Sequence, residues 1–98
     1  MATATPAAAV GGCPEARFCM YRGADFNNRN FTMASTNACQ NMTSDYVSYV
    51  NNLPVTVKLW RWSTGGYILV RTLPSGGFSS DWGGATFGDK ACAGSATP

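Results

Sequence analysis

Phe18-Cys19-Met20-Tyr21 and Val57-Lys58-Leu59-Trp60 open two copies of one pattern, and this duplication decides the fold. A turn rich in asparagine or glycine follows the aromatic residue in each copy, and a segment that contains an aspartate closes it. The two aromatic residues lie 39 residues apart, and Asp45 matches Asp89 at an offset of 44. Repeats bury their apolar faces against each other, so two copies in a short chain predict a pseudo-symmetric pair of sheets.

Short candidate strands separated by turns lie on both sides of these segments. Alternating apolar and polar residues at 55–61 predict the clearest strand, and Gly65 and Gly66 predict the turn that follows it. Residues 38–42 are compatible with a short helix, and residues 51–54 join the two halves. The other expected strands are residues 17–22, 30–34, 46–50, 67–72, 78–80 and 86–87. Regular short strands between turns predict an all-β sandwich or barrel.

Length and charge restrict the class of protein. The chain has 98 residues, which favours one domain over residues 13–93 with flexible tails at 1–12 and 94–98. Its net charge is +2 and its basic residues are scattered, whereas nucleic-acid binding requires a clustered basic surface. Nucleic acid is therefore not expected as a partner. No apolar run has the length of a membrane span, so we expect a soluble protein without a membrane partner. We also expect a monomer.

The four cysteines indicate two disulfides and an oxidising, extracellular compartment. Zinc is a weaker interpretation, because the chain contains no C-x-x-C pair and no histidine. Three connectivities are open. The short spacing of Cys13 and Cys19 favours a small loop between them, which leaves Cys39 and Cys92 to tie the halves together. The first residues lack the features of a signal peptide, so we interpret Met1 as a start residue placed before a mature secreted sequence.

The order of these features resembles the βγ-crystallin Greek-key motif, in which an aromatic residue, a glycine turn and a later Asp-x-x-Ser segment recur. The run Cys13-Pro14-Glu15-Ala16-Arg17-Phe18-Cys19-Met20-Tyr21 is similar to the C-P-x-x-x-x-C-x-Y opening of small secreted bacterial members. That subgroup includes the actinobacterial metalloproteinase-inhibitor family. The resemblance covers residues 13–93. It implies a βγ-crystallin-like sandwich of two Greek keys, about 13–52 and 53–93, held by two disulfides.

The same resemblance implies candidate calcium sites, which need hard oxygen ligands. One site would combine the Asp89 carboxylate, the Tyr46 carbonyl and the Ser48 hydroxyl. A degenerate second site would use the Asp45 carboxylate and the Lys90 carbonyl, with Cys92 at the third position, where sulfur is a poor calcium ligand. The alternative is that these segments only form corner turns. We expect no required cofactor, and Ca²⁺ is the one candidate.

Catalysis is not expected. The chain has no histidine, which is the commonest general base. Its five carboxylates are dispersed in turns, corners and the cysteine loop, and no residue is marked as a nucleophile. We therefore assign no catalytic residue and predict that the protein is not an enzyme.

Trp60-Arg61-Trp62 is the candidate partner-binding segment. If the apolar residues of the strand at 55–61 face the core, both tryptophans face outward. Exposed aromatics beside arginine are typical anchors for a protein partner. The alternative for Trp60 is packing inside its own repeat, which makes Trp62 the better surface candidate.

These observations predict a secreted, non-catalytic binding protein, and the family resemblance implies that it acts as an inhibitor of a secreted peptidase. Its candidate contact loops are residues 13–19 and 73–77. One alternative is a small calcium-binding structural protein of the βγ-crystallin type. Another is a secreted toxin or antimicrobial factor that uses Arg61 and Trp62 against a cell surface.

Overall fold

The computed structural model describes residues 10–82 and 88–98. A short 3₁₀ turn at Val10–Gly12 precedes eight strands. In chain order these are β1 (Phe18–Gly23), β2 (Asn27–Met33), β3 (Cys39–Asn41), β4 (Ser48–Asn51), β5 (Val57–Ser63), β6 (Gly66–Leu73), β7 (Phe78–Ser79) and β8 (Lys90–Ala93). The strand expected at residues 86–87 lies outside the described residues. None of the helical segments in these ranges is long and apolar enough to cross a membrane.

The strands form two antiparallel four-stranded sheets, in the orders β2-β1-β4-β7 and β3-β8-β5-β6. The predicted all-β class is therefore confirmed. The expectation of a short helix at residues 38–42 is wrong, because Cys39–Asn41 pairs with β8 and gains a ladder partner that a helix would lack. Strand β8 was not expected from the sequence, since Ala91, Cys92 and Ala93 have little strand propensity.

Each half of the chain supplies one strand to the sheet of the other half. Strand β3, from the first half, lies beside β8, and β7, from the second half, lies beside β4. The remaining strands of each half stay together, so each sheet holds three strands from one half and one from the other. Neither half can complete its sheet alone.

The register shows how far the repeat extends. A bulge interrupts the β1–β2 ladder between Met20 and Tyr21, and another interrupts the β5–β6 ladder at the matching pair Leu59 and Trp60. This agreement confirms the offset of 39 residues.

The fourth strands follow a different offset. Tyr21 lies opposite Ser48 and Trp60 lies opposite Lys90, so Ser48 and Lys90 are equivalent at an offset of 42. The match of Asp45 to Asp89 at 44 residues is therefore wrong. The segments that lead into β4 and β8 differ in length, and the sequence pattern alone does not reveal where the extra residues lie.

Buried side chains fill the space between the sheets. Val57 and Leu59 point into this core as their alternation predicts. The largest fully buried members of the cluster are Phe18, Met20, Met33, Tyr46, Leu53, Val57 and Leu59. A second, smaller cluster of Cys13, Cys19, Tyr21 and Val50 covers the other face of β1 and β4. Strand β1 is thus buried on both faces at its first four positions.

Two disulfides join Cys13 to Cys19 and Cys39 to Cys92. They confirm the connectivity that the spacing favours. Cys39 and Cys92 are directly opposite each other in the β3–β8 ladder, so this bond crosslinks the exchanged strand to the sheet that receives it. The short disulfide belongs to the smaller cluster and closes the exposed segment before β1.

Tyr21 closes the corner of the first hairpin. It is 1% exposed, and its hydroxyl donates a hydrogen bond to the Gly11 carbonyl at 3.1 Å. Its ring meets the edge of Phe26 at 5.6 Å, where the chain turns through positive φ angles at Asp25, Phe26 and Asn28. Burial raises the pKa of the Tyr21 phenol above its ordinary value of 10.0, and the positive charge of Arg29 offsets part of this rise.

Removing the long disulfide should cost more stability than removing the short one. The Cys39–Cys92 bond spans 53 residues and the Cys13–Cys19 bond spans six. On the chain-entropy model they contribute about 4 and about 2 kcal/mol. Urea unfolding of the Cys39→Ala/Cys92→Ala and Cys13→Ala/Cys19→Ala variants measures both losses. Equal losses would show that loop closure does not set the contribution of each bond.

Alkaline pH should destabilise the protein through the buried tyrosines. Because the pKa of Tyr21 is raised in the folded state, its contribution is fully present below pH about 10 and is lost as the pH rises through the folded value. Chemical unfolding at a series of pH values between about 8 and 11.5 tests this. We expect Tyr21→Phe to flatten the decline, because this variant lacks the phenol whose pKa is raised. Parallel pH profiles for the wild type and Tyr21→Phe would contradict the prediction.

Candidate functional site

Two consecutive asparagines, the last residue of β4 and the residue that follows it, organise one end of the molecule. Asn51 is completely buried. Its side-chain amide donates hydrogen bonds to the carbonyls of Val55 at 3.1 Å and Leu73 at 3.0 Å, and its side-chain oxygen accepts one from the Leu53 amide at 3.0 Å. All three bonds go to backbone groups, so this side chain links the joint between the halves to the end of β6.

The loop at residues 73–77 is held by the same joint. The Gly76 amide donates to the Asn51 carbonyl at 2.8 Å, and the Asn51 amide donates to the Gly77 carbonyl at 2.8 Å. The Ser75 hydroxyl donates to the Leu53 carbonyl. Gly76 has a φ of 81°, a conformation that glycine adopts without strain. The exposed tip of this loop is therefore fixed at both sides.

The loop closed by the Cys13–Cys19 disulfide is held by Asn52. The Asn52 amide donates to the Arg17 carbonyl at 2.9 Å, and its side-chain amide donates to the carbonyls of Cys13 at 3.1 Å and Pro14 at 3.2 Å. The tip, residues 14–17, is exposed. Ala16 has a φ of 58°, which is uncommon for a residue other than glycine and indicates a tightly determined backbone.

The two loops thus share one anchor. Because Asn51 and Asn52 are adjacent, they place residues 14–17 and 73–77 at the same end of the molecule. We call this surface the two-loop end. It presents the charged side chains of Glu15 and Arg17 on a backbone that the disulfide and the asparagine side chains restrain.

A separate pocket of about 380 Å³ brings the two predicted calcium aspartates together. Asp45 and Asp89 both line it, and so does Arg61. The Trp62 amide donates a hydrogen bond to the Asp89 carboxylate at 2.5 Å. The remaining lining residues are Met42, Thr43, Ser44 and Gly88.

The other predicted calcium ligands do not line this pocket. Ser48 is fully buried and its hydroxyl donates to the Gly23 carbonyl at 2.8 Å. The Tyr46 carbonyl accepts a hydrogen bond from the Trp82 indole at 2.8 Å. Lys90, whose carbonyl was the predicted ligand, lies in β8 opposite Trp60, and its ammonium donates a hydrogen bond to the Asn41 side-chain oxygen. Cys92, at the third position of the second set, is in a disulfide. In residues 10–82 and 88–98, no group of three or more His, Cys, Asp or Glu side chains is arranged to hold a metal.

The Trp60-Arg61-Trp62 segment lies on β5, with its three side chains in different environments. Trp62 is 58% exposed, and its ring packs at 5.1 Å against the edge of Tyr67. Trp60 is half-buried, and its indole nitrogen finds no acceptor in the described part of the chain. Arg61 is exposed at the pocket rim. Trp62 is therefore the more accessible of the two tryptophans.

The segment and the two-loop end are far apart. Val57 begins β5 opposite Leu73, next to the two-loop end, whereas Trp62 lies close to the turn at the other end of the hairpin. Five residues along a strand correspond to about 17 Å. The two candidate contact surfaces are therefore separate.

Sequence reasoning missed the roles of Asn51, Asn52 and Trp82. The asparagines were interpreted as a joint only, although an Asn-Asn pair directly before Leu-Pro is a signal for side-chain-to-backbone bonding. Trp82 stacks on Tyr49 at 5.1 Å and carries Arg71 over its ring at 4.6 Å. Trp82 is positioned by contacts with residues that lie more than 10 positions away in the chain. The sequence around Trp82 therefore does not predict where its side chain packs.

Comparison with known proteins identifies one family. Residues 6–67 match the model of peptidase inhibitor family I36, and this match includes the Cys13–Cys19 loop, both asparagines and the Trp60–Trp62 segment. Neither the curated proteins nor the solved structures contain a match. The resemblance to the actinobacterial metalloproteinase-inhibitor family is thereby confirmed. Since the match extends over more than half of the chain, this protein belongs to peptidase inhibitor family I36.

Proposed function

We propose that the protein is a secreted, non-catalytic inhibitor that contacts a peptidase through the two-loop end. The observation that carries this proposal is the pair Asn51 and Asn52, which fixes two exposed loops side by side. Family membership supports a peptidase as the partner. The two disulfides support secretion, because such bonds persist in oxidising compartments.

Rigidity is the physical reason to choose this end. A loop that is already ordered loses little conformational entropy when it binds, so more of the contact energy appears as affinity. The residues 14–17 are restrained by a disulfide and by three hydrogen bonds from Asn52. This loop also lies inside the region that matches the family, whereas residues 73–77 lie outside it.

The backbone of the first loop favours a contact other than substrate mimicry. Peptidase substrates are commonly bound in extended form, whereas Ala16 has a left-handed φ of 58°. Glu15 and Arg17, on either side of Ala16, are the exposed charged side chains of this loop. We assign them as the contact residues, with the second loop as a flanking surface.

The strand order supports the proposal that the domain is a pair of βγ-crystallin Greek keys, about 13–52 and 53–93. In both halves the first two strands form a hairpin, the third crosses to the other sheet and the fourth returns beside the first. The equivalent bulges in the two hairpins support the same assignment.

Calcium binding is the second candidate function, and the pocket shared by Asp45 and Asp89 favours it. Two carboxylates and the hydroxyls of Thr43 and Ser44 are hard ligands of the kind that Ca²⁺ prefers. Arg61 lines the same pocket, and its positive charge reduces the net negative charge there. We therefore propose that the site binds Ca²⁺ weakly. The toxin hypothesis stays a prediction and would be favoured by activity against cells without either inhibition or calcium binding.

Inhibition should depend on the first loop. Titration against a panel of purified secreted metallo-, serine and cysteine peptidases should reveal near-stoichiometric inhibition of a metallopeptidase. Reversing charge in Arg17→Glu or Glu15→Lys should weaken it by about tenfold or more, because central charged contacts often carry 1.4 kcal/mol or more.

The matched control is Arg22→Glu, an equal charge change at an exposed position of β1 away from the two-loop end. It should inhibit like the wild type. Asn52→Ala should weaken inhibition while the β-sheet circular dichroism signal is retained, since the loop loses its restraint. The proposal fails if no peptidase in the panel is inhibited, or if Arg17→Glu and Arg22→Glu behave alike.

Calcium should raise the melting temperature of the protein by several degrees. With a millimolar dissociation constant, 10 mM Ca²⁺ contributes about 1.4 kcal/mol, which corresponds to a rise of several degrees for a domain of this size. Differential scanning calorimetry in Ca²⁺ and in EDTA measures the shift. Asp45→Asn should abolish it, and Asp25→Asn in the first hairpin turn should not. Identical melting temperatures in both buffers would eliminate this second function.

A further inference from the structure

The four edge strands of the two sheets differ in how well they resist pairing with another chain. Among the described strands, β3 has three residues and β7 has two, so both are too short to template a long ladder. Strand β2 is longer but carries polar, exposed residues at its first four positions, 27–30. Short length and polar side chains are the usual protection of a sheet edge. Of the edge strands in residues 10–82 and 88–98, only β6 has neither form of protection.

Strand β6 is long, apolar and exposed. Its three consecutive residues Ile68, Leu69 and Val70 are 43%, 48% and 37% exposed, which is unusual for aliphatic side chains within a strand. From Gly66 to Leu69 it pairs in continuous register with Ser63 to Trp60, so this stretch is a regular template. No described strand lies on its outer side.

An aromatic surface adjoins the same stretch. Tyr67 lies opposite Trp62 in the hairpin ladder, and the two rings are in contact. Leu69 lies opposite Trp60. A strand added beside Gly66–Leu69 would therefore meet apolar anchors on the face that carries Trp62. Large aromatic side chains at such positions are enriched in protein contacts.

Charge favours one kind of occupant. The strands of the β6 sheet contain the four cations Lys58, Arg61, Arg71 and Lys90 and no carboxylate. Arg71 is occupied by the Trp82 ring and carbonyl, and Arg61 shares its pocket with Asp45 and Asp89. Lys58 and Lys90 both lie next to Trp60 on the face that carries Trp62, Lys58 along β5 and Lys90 across the ladder in β8. The Lys90 ammonium also donates a hydrogen bond to Asn41, so Lys58 is the main cation for a partner to meet.

A second copy of this chain would bring equal sets of cations together, whereas an acidic strand would complement them. We propose that β6 binds an extended, acidic segment of a partner protein by β-strand addition, with Gly66–Leu69 as the template and Trp62 and Tyr67 as the anchors. Main-chain hydrogen bonds then supply affinity, and the cations select the sequence. This surface goes beyond the proposed inhibitory contact, since it uses neither exposed loop of the two-loop end.

Synthetic peptides test the proposal on the intact, oxidised protein. The probe is a fluorescein-labelled, amidated octapeptide that alternates valine and glutamate, and fluorescence anisotropy measures its binding. We expect saturable binding that a valine–lysine octapeptide does not reproduce. Methylation of alternate backbone nitrogens in the valine–glutamate peptide should abolish binding, because strand addition requires those donors.

Protein variants supply the matched comparison. Lys58→Glu should weaken binding of the valine–glutamate peptide by about fivefold or more, since an attractive charge becomes repulsive. Arg22→Glu makes the same change in charge at an exposed strand position of the other sheet, and it should leave peptide binding unchanged. These results together would support the proposal, and no peptidase is needed to obtain them.

Three outcomes would overturn it. Equal binding of the glutamate and lysine peptides would remove the acidic selection. Undiminished binding after backbone methylation would exclude strand addition. If no peptide binds, and sedimentation equilibrium shows dimers that Leu69→Lys converts to monomers, the occupant of β6 is a second copy of the chain and the proposal is wrong.

Discussion

The exchange of β3 and β7 between the halves is the constraint on which the rest of the structure depends. Each sheet is completed by a strand from the distant half, so neither hairpin can bury its apolar face on its own. The Cys39–Cys92 bond joins one exchanged strand directly to its new neighbour. Covalent and hydrogen-bonded links therefore reinforce the same junction, which suits a small domain with a limited core.

The surfaces of the protein follow from this exchange. Chain segments that leave the sheets to cross between them meet at the joint after β4, where Asn51 and Asn52 bond to backbone from both halves. The exposed loops of the two-loop end are consequently restrained by hydrogen bonds to Asn51 and Asn52. Along the outer side of β6 the described residues contain no strand, and its apolar edge stays open.

Much of this fold could be predicted from local patterns, and the misses have identifiable physical causes. Alternation located β5 because Val57 and Leu59 face the core, and the offset of 39 holds because both hairpins carry the same bulge. Strand β8 was missed because small residues fill a narrow part of the interior, where size matters more than propensity.

The site was harder to predict than the fold. The two loops were expected from their cysteines, prolines and glycines, but their common anchor was not, because Asn51 bonds to Leu73 across 22 residues. Sequence spacing also equated Asp45 with Asp89, whereas the ladders place Ser48 opposite Tyr21 and Lys90 opposite Trp60. An insertion between the third and fourth strands of one half changes which residues lie at equivalent positions. It leaves the flanking sequence motif unchanged, so the motif does not reveal it.

The positions of the disulfides have a consequence for an inhibitor that meets a peptidase. Residues 14–17 lie inside the ring closed by Cys13 and Cys19, and residues 73–77 lie inside the ring closed by Cys39 and Cys92. A single cut in either loop leaves both new ends covalently attached to the same molecule, and the interleaved strands keep them in place. Hydrolysis in either loop would thus nick the protein without releasing a fragment.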